Sequence, residues 1–160
     1  MTADIGKIKI FLFSLALCLG GGWLTGYVTQ HSVKEWYPQL IKPYGTPPDV
    51  VFPIVWTILY ILMALALTLV WAGKSSNKTK ALLLFFAQLF LNFTWSWLFF
   101  YQKSPGYALL DIAFLLLLIG LTVHAFWQQS RLAAYLLLPY LAWVSYAAYL
   151  NFFIWLYNPL

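Results

Sequence analysis

Residues 50–72, VVFPIVWTILYILMALALTLVWA, contain no charged side chain, and their few polar side chains do not alternate with the apolar ones. A helix of about 20 such residues crosses the roughly 30 Å hydrocarbon core of a bilayer. Strands of membrane barrels instead alternate apolar and polar residues over about 10 positions. This stretch is therefore predicted to be a transmembrane α-helix.

Four further stretches of this kind predict an all-α integral membrane bundle of five transmembrane helices. The predicted spans are residues 8–28, 50–72, 81–101, 105–127 and 133–157, all within one domain, 1–160, and a long ordered loop, 29–49, joins the first two. The composition agrees, since 63% of the 160 residues are hydrophobic and 8% are charged. A chain this apolar is neither disordered nor soluble, because soluble domains average about 25% charged residues.

The first span has two interpretations. Lys7 and Lys9 precede its apolar run, as basic residues do in a secretory signal peptide. The run is long enough to cross a bilayer, and Leu17 is large where a lipoprotein cleavage box before Cys18 needs a small residue. We expect a retained first helix, with a cleaved signal as the alternative.

Residues that carry reactive chemistry are few. Cys18 is the single cysteine, which excludes an intramolecular disulfide, and His31 and His124 lack the spacing of metal ligands. The net charge of +5 arises from basic residues scattered over connectors, not clustered as in nucleic-acid-binding proteins. We therefore predict no metal, no cofactor and no nucleic-acid partner, and a lipid bilayer as the surroundings.

The connector charges indicate an orientation. With five spans, one side carries Lys7, Lys9, Lys74, Lys78, Lys80 and Arg131, and the other carries Lys34, Lys42 and Lys103. Basic residues accumulate on the cytoplasmic side of membranes, so the N-terminus is predicted to be cytoplasmic. Bacterial inner, bacterial outer and organelle membranes all stay open.

Polar and indole groups converge beneath the loop 29–49, whose aromatic and proline residues favour an ordered lid. Asp111 lies roughly 9 Å from the loop side and Asn92 about 13 Å, at about 1.5 Å per helical residue. Three helices bring further groups to compatible depths: Trp56, Tyr60, Trp95, Trp143, Ala147 and Leu150. A few polar groups among aromatic walls are typical of a pocket for a flat hydrophobic ligand.

Structural roles are alternatives for several of these residues. Asn92 can bridge helices through its amide, and Asp111, a functional candidate because it is ionisable within a span, can serve packing alone. Gly22 and Gly26 permit close helix contact within one chain or across a dimer. Four tryptophans near helix ends are expected at the membrane interfaces: Trp23, Trp71, Trp127 and Trp155.

Short motifs along the whole chain carry a family resemblance. In the first loop they are Trp36-Tyr37, Lys42-Pro43 and Thr46-Pro47-Pro48. In the helices they are Phe52-Pro53, Val55-Trp56-Thr57 with Tyr60, Gln88-Leu89, Leu91-Asn92, Trp95-Ser96, Phe99-Phe100, residues 108–111 (ALLD), residues 139–143 (PYLAW) and Leu150-Asn151. In order and spacing, these motifs resemble the translocator protein family, also called tryptophan-rich sensory proteins or peripheral-type benzodiazepine receptors.

The resemblance implies a five-helix bundle, a homodimer, and a receptor or carrier in tetrapyrrole or stress-linked sensing and transport. The implied ligands are porphyrins such as protoporphyrin IX, sterols, and synthetic benzodiazepines or isoquinolines, bound in a pocket under the first loop. The implied ligand-binding residues are Tyr37, Pro47, Trp56, Tyr60, Asn92, Trp95, Asp111, Trp143, Ala147 and Leu150.

Three departures from the family pattern bear on these expectations. Gly45 stands where the family usually has a tryptophan before Thr-Pro-Pro, which removes a ring from the lid. Phe152 and Leu156 replace the tyrosine and the basic residue of the animal members' sterol pattern, so sterol binding through that pattern is not expected. Leu83 and Ala87 stand where some members have small residues at the dimer contact, which leaves the dimer interface open.

Light-dependent porphyrin degradation is the alternative function. The resemblance implies it for some members, and Trp56 and Trp143 would then be the residues involved. The sequence shows no acid–base pair, nucleophile or metal set for a ground-state reaction, so we expect a receptor rather than an enzyme. Translocation of a small molecule or lipid is a third hypothesis.

Overall fold

The computed structural model describes residues 2–73 and 78–158, with side chains from Ile5 onward. This part of the chain forms five long helices and no strand: α1 Thr2–Glu35, α2 Val51–Trp71, α3 Lys78–Ser96, α4 Pro105–Gln129 and α5 Arg131–Tyr157. Each helix is long and apolar enough to cross a membrane. The predicted all-α bundle of five spans is thereby confirmed, while Lys74, counted in the predicted orientation, lies outside the described residues.

Helix α1 is longer than the apolar run that predicted it. It continues through Glu35, so residues 29–35, expected in the loop, are helical. No proline or glycine follows Gly26 until Pro38, and a helix normally ends at or before the residue that precedes a proline. The loop therefore starts at Trp36, with a short 3₁₀ helix at Tyr37–Gln39, and is shorter than predicted.

Helix α3 ends in a π-helical turn, Trp97–Tyr101, before the connector to α4. A π turn inserts an extra residue into the helical register, which changes the direction of the side chains within it. Phe99 and Phe100 both pack around the Trp95 ring, with centroids 5.3 Å and 6.1 Å from it. The turn thereby concentrates aromatic rings at the loop side of the bundle.

The helices form a ring in the order α1, α2, α5, α4, α3. Helix α2 packs against α1 and α5, and α4 packs against α3 and α5. Helix α1 closes the ring by contacting α3 and its π turn. Two buried amide side chains, Gln88 and Asn92, lie one turn apart on the same face of α3.

Hydrogen bonds join that face of α3 to its neighbours. The bonds run from Tyr60 Oη to Asn92 Oδ1 (2.8 Å), from Tyr140 Oη to Gln88 Oε1 (2.8 Å) and from Trp95 Nε1 to Asn151 Oδ1 (3.0 Å). Asn151 Nδ2 in turn donates to the carbonyl of Pro105 at the start of α4, at 2.8 Å. Lipid offers no hydrogen-bond partner, so such groups must pair with one another. The bridging role considered for Asn92 is therefore observed.

Two adjacent glycines let α1 approach α2 and α3. A Cβ atom on Gly22 would lie 2.2 Å from Cε2 of Tyr60, and one on Gly21 would lie 2.3 Å from Cζ of Phe93. A Cβ on Gly26 would meet open space instead. Of the predicted glycine pair, Gly22 therefore makes its close contact inside the chain, and Gly26 makes none.

Gly22→Ala is expected to destabilise the bundle. Its methyl group would collide with Tyr60, which is held by Asn92, and overpacking of this kind costs about 1–3 kcal/mol. We expect the melting temperature of the detergent-solubilised protein to fall by several degrees. Gly20→Ala is the control, because its Cβ meets no atom within 4 Å and alanine favours a helix. Equal melting temperatures for the two variants would contradict the packing described here.

Candidate functional site

A cavity of about 750 Å³ lies in the half of the bundle nearest the loop. Its walls come from α1, α2, the end of α3 with its π turn, and α5. Along α1 the lining extends from Leu19 to Lys34, and α4 contributes no residue to it in the described chain. The lining is mostly apolar and aromatic, as in sites for small hydrophobic molecules.

Most of the predicted site residues lie on the wall of this cavity. They are Tyr37, Trp56, Tyr60, Trp95, Trp143, Ala147 and Leu150. Helix α2 starts at the loop side, while α3 and α5 end there, so residues close to these helix termini reach the same depth. The depths compared along the sequence therefore belong to residues that line one cavity.

Pro47, Asn92 and Asp111 do not line the cavity, although the sequence placed them there. Asn92 is 2% exposed and lies behind Tyr60, from whose hydroxyl it accepts a hydrogen bond. Asp111 is on α4, which the cavity does not reach, and its buried Oδ2 has no hydrogen-bond partner among the described residues. Depth along a helix specifies neither the direction in which a side chain points nor which helices surround the cavity. Asn92 therefore points away from the cavity, and Asp111 lies on a helix outside its wall.

Aromatic rings give the cavity flat walls. Trp56 stacks on Tyr60 with centroids 5.4 Å apart and planes 28° apart, and Phe52 meets Trp143 edge to face at 5.8 Å. The buried Trp143 Nε1 has no acceptor within the described chain. The indole ring of Trp143, rather than its buried N–H, is therefore the part that lines the cavity.

The loop is fastened to α5 over the cavity. The side chain of Asn158 accepts from the N–H of Ile41 (2.8 Å) and donates to its carbonyl (3.0 Å). The hydroxyl of Tyr146 donates to the carbonyl of Gly45 at 2.8 Å. Gly45 has a φ of 90°, a conformation that favours glycine, which accounts for the absence of a ring there. The loop is thereby an ordered cover, as the aromatics and prolines predicted.

Tyr37 anchors the start of the loop. It is 5% exposed, and its ring packs edge to face on Phe52 and Phe100. Lys42 Nζ lies 4.4 Å from the ring centroid on the loop's own side, a cation–π contact. Burial, with a smaller contribution from the charge of Asp49, raises the pKa of Tyr37 to about 12, so the phenol stays protonated at neutral pH.

The sequence did not predict the wall formed by α1. Its lining includes Gly22, Gly26, Thr29, Val33 and Lys34, together with Trp23, which had been assigned to the membrane interface. Because the loop was expected to begin at residue 29, the last turns of α1 were predicted to be loop and not cavity wall. The spacing of Gly22, Gly26, Thr29 and Val33, every three or four residues, is the signal that marks this face.

Metal-ion chemistry has no evident site here. Within the described residues no three His, Cys, Asp or Glu side chains come together as a metal site would require. The arrangement is instead suited to holding a flat hydrophobic molecule between rings.

Several known proteins are similar in sequence to most of this chain. A profile of the TspO/MBR family matches residues 14–156. The tryptophan-rich protein TspO of Chlorobaculum tepidum is 44% identical over 96% of this chain and 98% of its own. The tryptophan-rich sensory protein of Cereibacter sphaeroides is 39% identical over 89% of this chain and 87% of its own. The human translocator protein is 36% identical, with coverages of 89% and 86%.

Asn158→Ala is expected to loosen the cover. Without the side-chain amide of Asn158, the backbone N–H and carbonyl of Ile41 each lose a hydrogen-bond partner. The loop is therefore expected to open more often. Hydrogen–deuterium exchange should show the Ile41 amide exchanging about tenfold faster, a change of about 1.4 kcal/mol in opening free energy. Gln128→Ala, which removes an exposed contact to His124, is the control and should leave the loop unchanged. Unchanged exchange in Asn158→Ala would show that the clamp does not hold the loop.

Proposed function

The chain belongs to the TspO/MBR family, and we propose on that premise that it is a membrane receptor for porphyrins such as protoporphyrin IX and for related flat hydrophobic ligands. Family membership and the five apolar helices make it an integral, multi-pass membrane protein and support a receptor or sensor role. The observation that carries the proposed ligand class is the cavity lined by stacked and edge-on aromatic rings under a fastened loop.

The dimensions and chemistry of the cavity support a planar macrocycle. Its volume of about 750 Å³ is within the range of about 300–1,000 Å³ typical of sites for small molecules. Trp56 on α2 and Trp143 on α5 present indole rings from different helices, and offset stacking on such rings stabilises aromatic ligands.

For sterols, we propose binding in this same cavity and not at the sterol pattern of the animal members. Phe152 and Leu156, at the positions of the sterol pattern, are 48% and 56% exposed on α5 and do not line the cavity. These two positions therefore supply neither the tyrosine hydroxyl nor the basic side chain of the sterol pattern.

We also propose an orientation in the membrane and a dimeric assembly. The excess of basic residues near the N-terminus and in the connectors α2–α3 and α4–α5 favours a cytoplasmic N-terminus, with the loop and the adjoining cavity on the opposite side. A homodimer is proposed from the family resemblance, and the exposed faces of α1 and α3 leave room for a second copy.

Titration with protoporphyrin IX tests the proposed binding. Saturable quenching of tryptophan fluorescence is expected in the detergent-solubilised protein. Trp143→Phe should weaken binding about three- to tenfold, because it removes part of the stacking surface. Trp127→Phe is the matched control, since Trp127 is exposed and packs on Tyr135 outside the cavity. Non-saturable quenching, or equal affinities for both variants, would exclude binding at this site.

Porphyrin degradation in light is the second candidate, favoured by the presence of both Trp56 and Trp143 on the cavity wall. Indoles beside a photoexcited porphyrin can exchange electrons with it. Illuminating the complex should then bleach the porphyrin absorption faster than detergent alone does. The Trp56→Phe and Trp143→Phe double variant, compared at equal bound porphyrin, should lose this acceleration. Bleaching at the detergent rate in the wild-type complex would leave binding as the sole function of the cavity.

A further inference from the structure

Three buried polar atoms of α3 and α4 have no hydrogen-bond partner within the described chain. They are Gln88 Nε2 and Asn92 Nδ2, the two α3 amides, and Asp111 Oδ2 on α4. The three residues are 1%, 2% and 9% exposed, and none of them lines the cavity. Burial of a polar group without a partner is unfavourable, so such atoms are usually hydrogen-bonded.

The three atoms lie at similar depths in the bundle. The bonds from Trp95 to Asn151 and from Asn151 to the carbonyl of Pro105 bring α3, α5 and α4 to one level at that point. Counting away from the loop at about 1.5 Å per residue, the two α3 amides lie roughly 4.5 Å and 10.5 Å below this level. Asp111, six residues after Pro105, lies roughly 9 Å below it. The carboxyl is therefore between the two amides in depth.

The side chain of Asp111 is directed into the bundle. It belongs to the buried stripe of α4 that includes Ala108 and Leu115, and α4 packs against α3 and α5. The charge of the Asp111 carboxyl acts on the hydroxyl of Tyr140, which donates to Gln88 Oε1. The carboxyl and the two α3 amides therefore face one another across the contact between α3 and α4.

The hydrogen-bonding capacities of the three atoms are complementary. The amide nitrogens only donate, and Oδ2 of an ionised carboxyl only accepts. No direct bond joins them, and polar groups slightly farther apart than a hydrogen bond are commonly bridged by water. Two N–H donors do not suit a cation, whereas a water molecule can accept from both amides and donate to the carboxyl. Buried waters typically make about three such bonds.

We propose that α3 and α4 bind a buried water molecule that accepts hydrogen bonds from Gln88 and Asn92 and donates one to Asp111. This water joins α4 to the hydrogen-bonded face of α3. It gives Asp111, the ionisable side chain within a span, a role apart from the cavity. The site shares no residue with the cavity wall and does not depend on the proposed ligand.

Cross-relaxation between water and side-chain amide protons tests this site by nuclear magnetic resonance. The full chain is labelled with nitrogen-15 in its glutamine and asparagine side chains and studied in detergent micelles. We expect direct cross peaks from the water resonance to the side-chain amide protons of both Gln88 and Asn92, because a buried water stays beside them. If either amide shows no such cross peak, the proposed site is overturned.

Substitutions of Asp111 show whether the water lies at this site. Asp111→Leu fills the space and removes the acceptor, so the cross peaks at both amides should be lost. Asp111→Asn keeps an acceptor oxygen in a side chain of the same size and should retain them. Thr122→Val is the matched control, because Thr122 lies on the same buried stripe and its hydroxyl bonds to the carbonyl of Leu118. Cross peaks that persist in Asp111→Leu would overturn the proposal.

Tyrosine hydroxyls near the amides require a separate control, since their protons exchange with water and give the same signal. Tyr140 donates to Gln88, and Tyr60 donates to Asn92. The Gln88 cross peak should persist in Tyr140→Phe, and the Asn92 cross peak should persist in Tyr60→Phe. Loss of both in these variants would assign the signal to the hydroxyls and overturn the water site, while the proposed ligand binding stands.

Discussion

The absence of water from the bilayer interior is the constraint on which the structure depends. A buried polar group in hydrocarbon is stabilised by a partner within the protein, and the side-chain oxygens of Gln88 and Asn92 and the indole N–H of Trp95 on α3 each have one. Gln88, Asn92 and Trp95, spaced four and three residues apart, each bond to a different residue of α2 or α5. These bonds fix the rotation of α3 and hold Tyr60 and Trp95 against the cavity. The same constraint therefore determines both the packing of the helices and the shape of the site.

Helix α1 forms one wall of the cavity next to its close contacts with α2 and α3. Gly21 and Gly22 bring α1 against Phe93 and Tyr60, and above this contact α1 and α5 form separate walls. The loop spans the space between them and is tied to α5 through Asn158. The interior enclosed in this way is lined mainly by aromatic and apolar side chains.

Expectations from the sequence agree with the structure where the length and apolarity of a segment decide the outcome. Span length and apolarity predicted five membrane helices, and the distance from the loop side predicted a shared depth for Tyr60, Trp95 and Trp143. Side-chain rotation is different, because it depends on which neighbours pack on each face. Asn92 therefore lies behind the wall, and Asp111 lies on a helix that the cavity does not reach.

By itself the sequence determined the number of spans, the family resemblance and the half of the bundle that holds the site, because these follow from composition, length and motif order. Only the tertiary structure decided that α1 continues to Glu35 and forms a wall, since its last turns are too polar to be recognised as part of a span. It also decided that the lining extends along α1 from Leu19 to Lys34. Contacts between residues far apart in the chain depend on how five helices pack around one another, and hydropathy along a single helix carries no information about that packing.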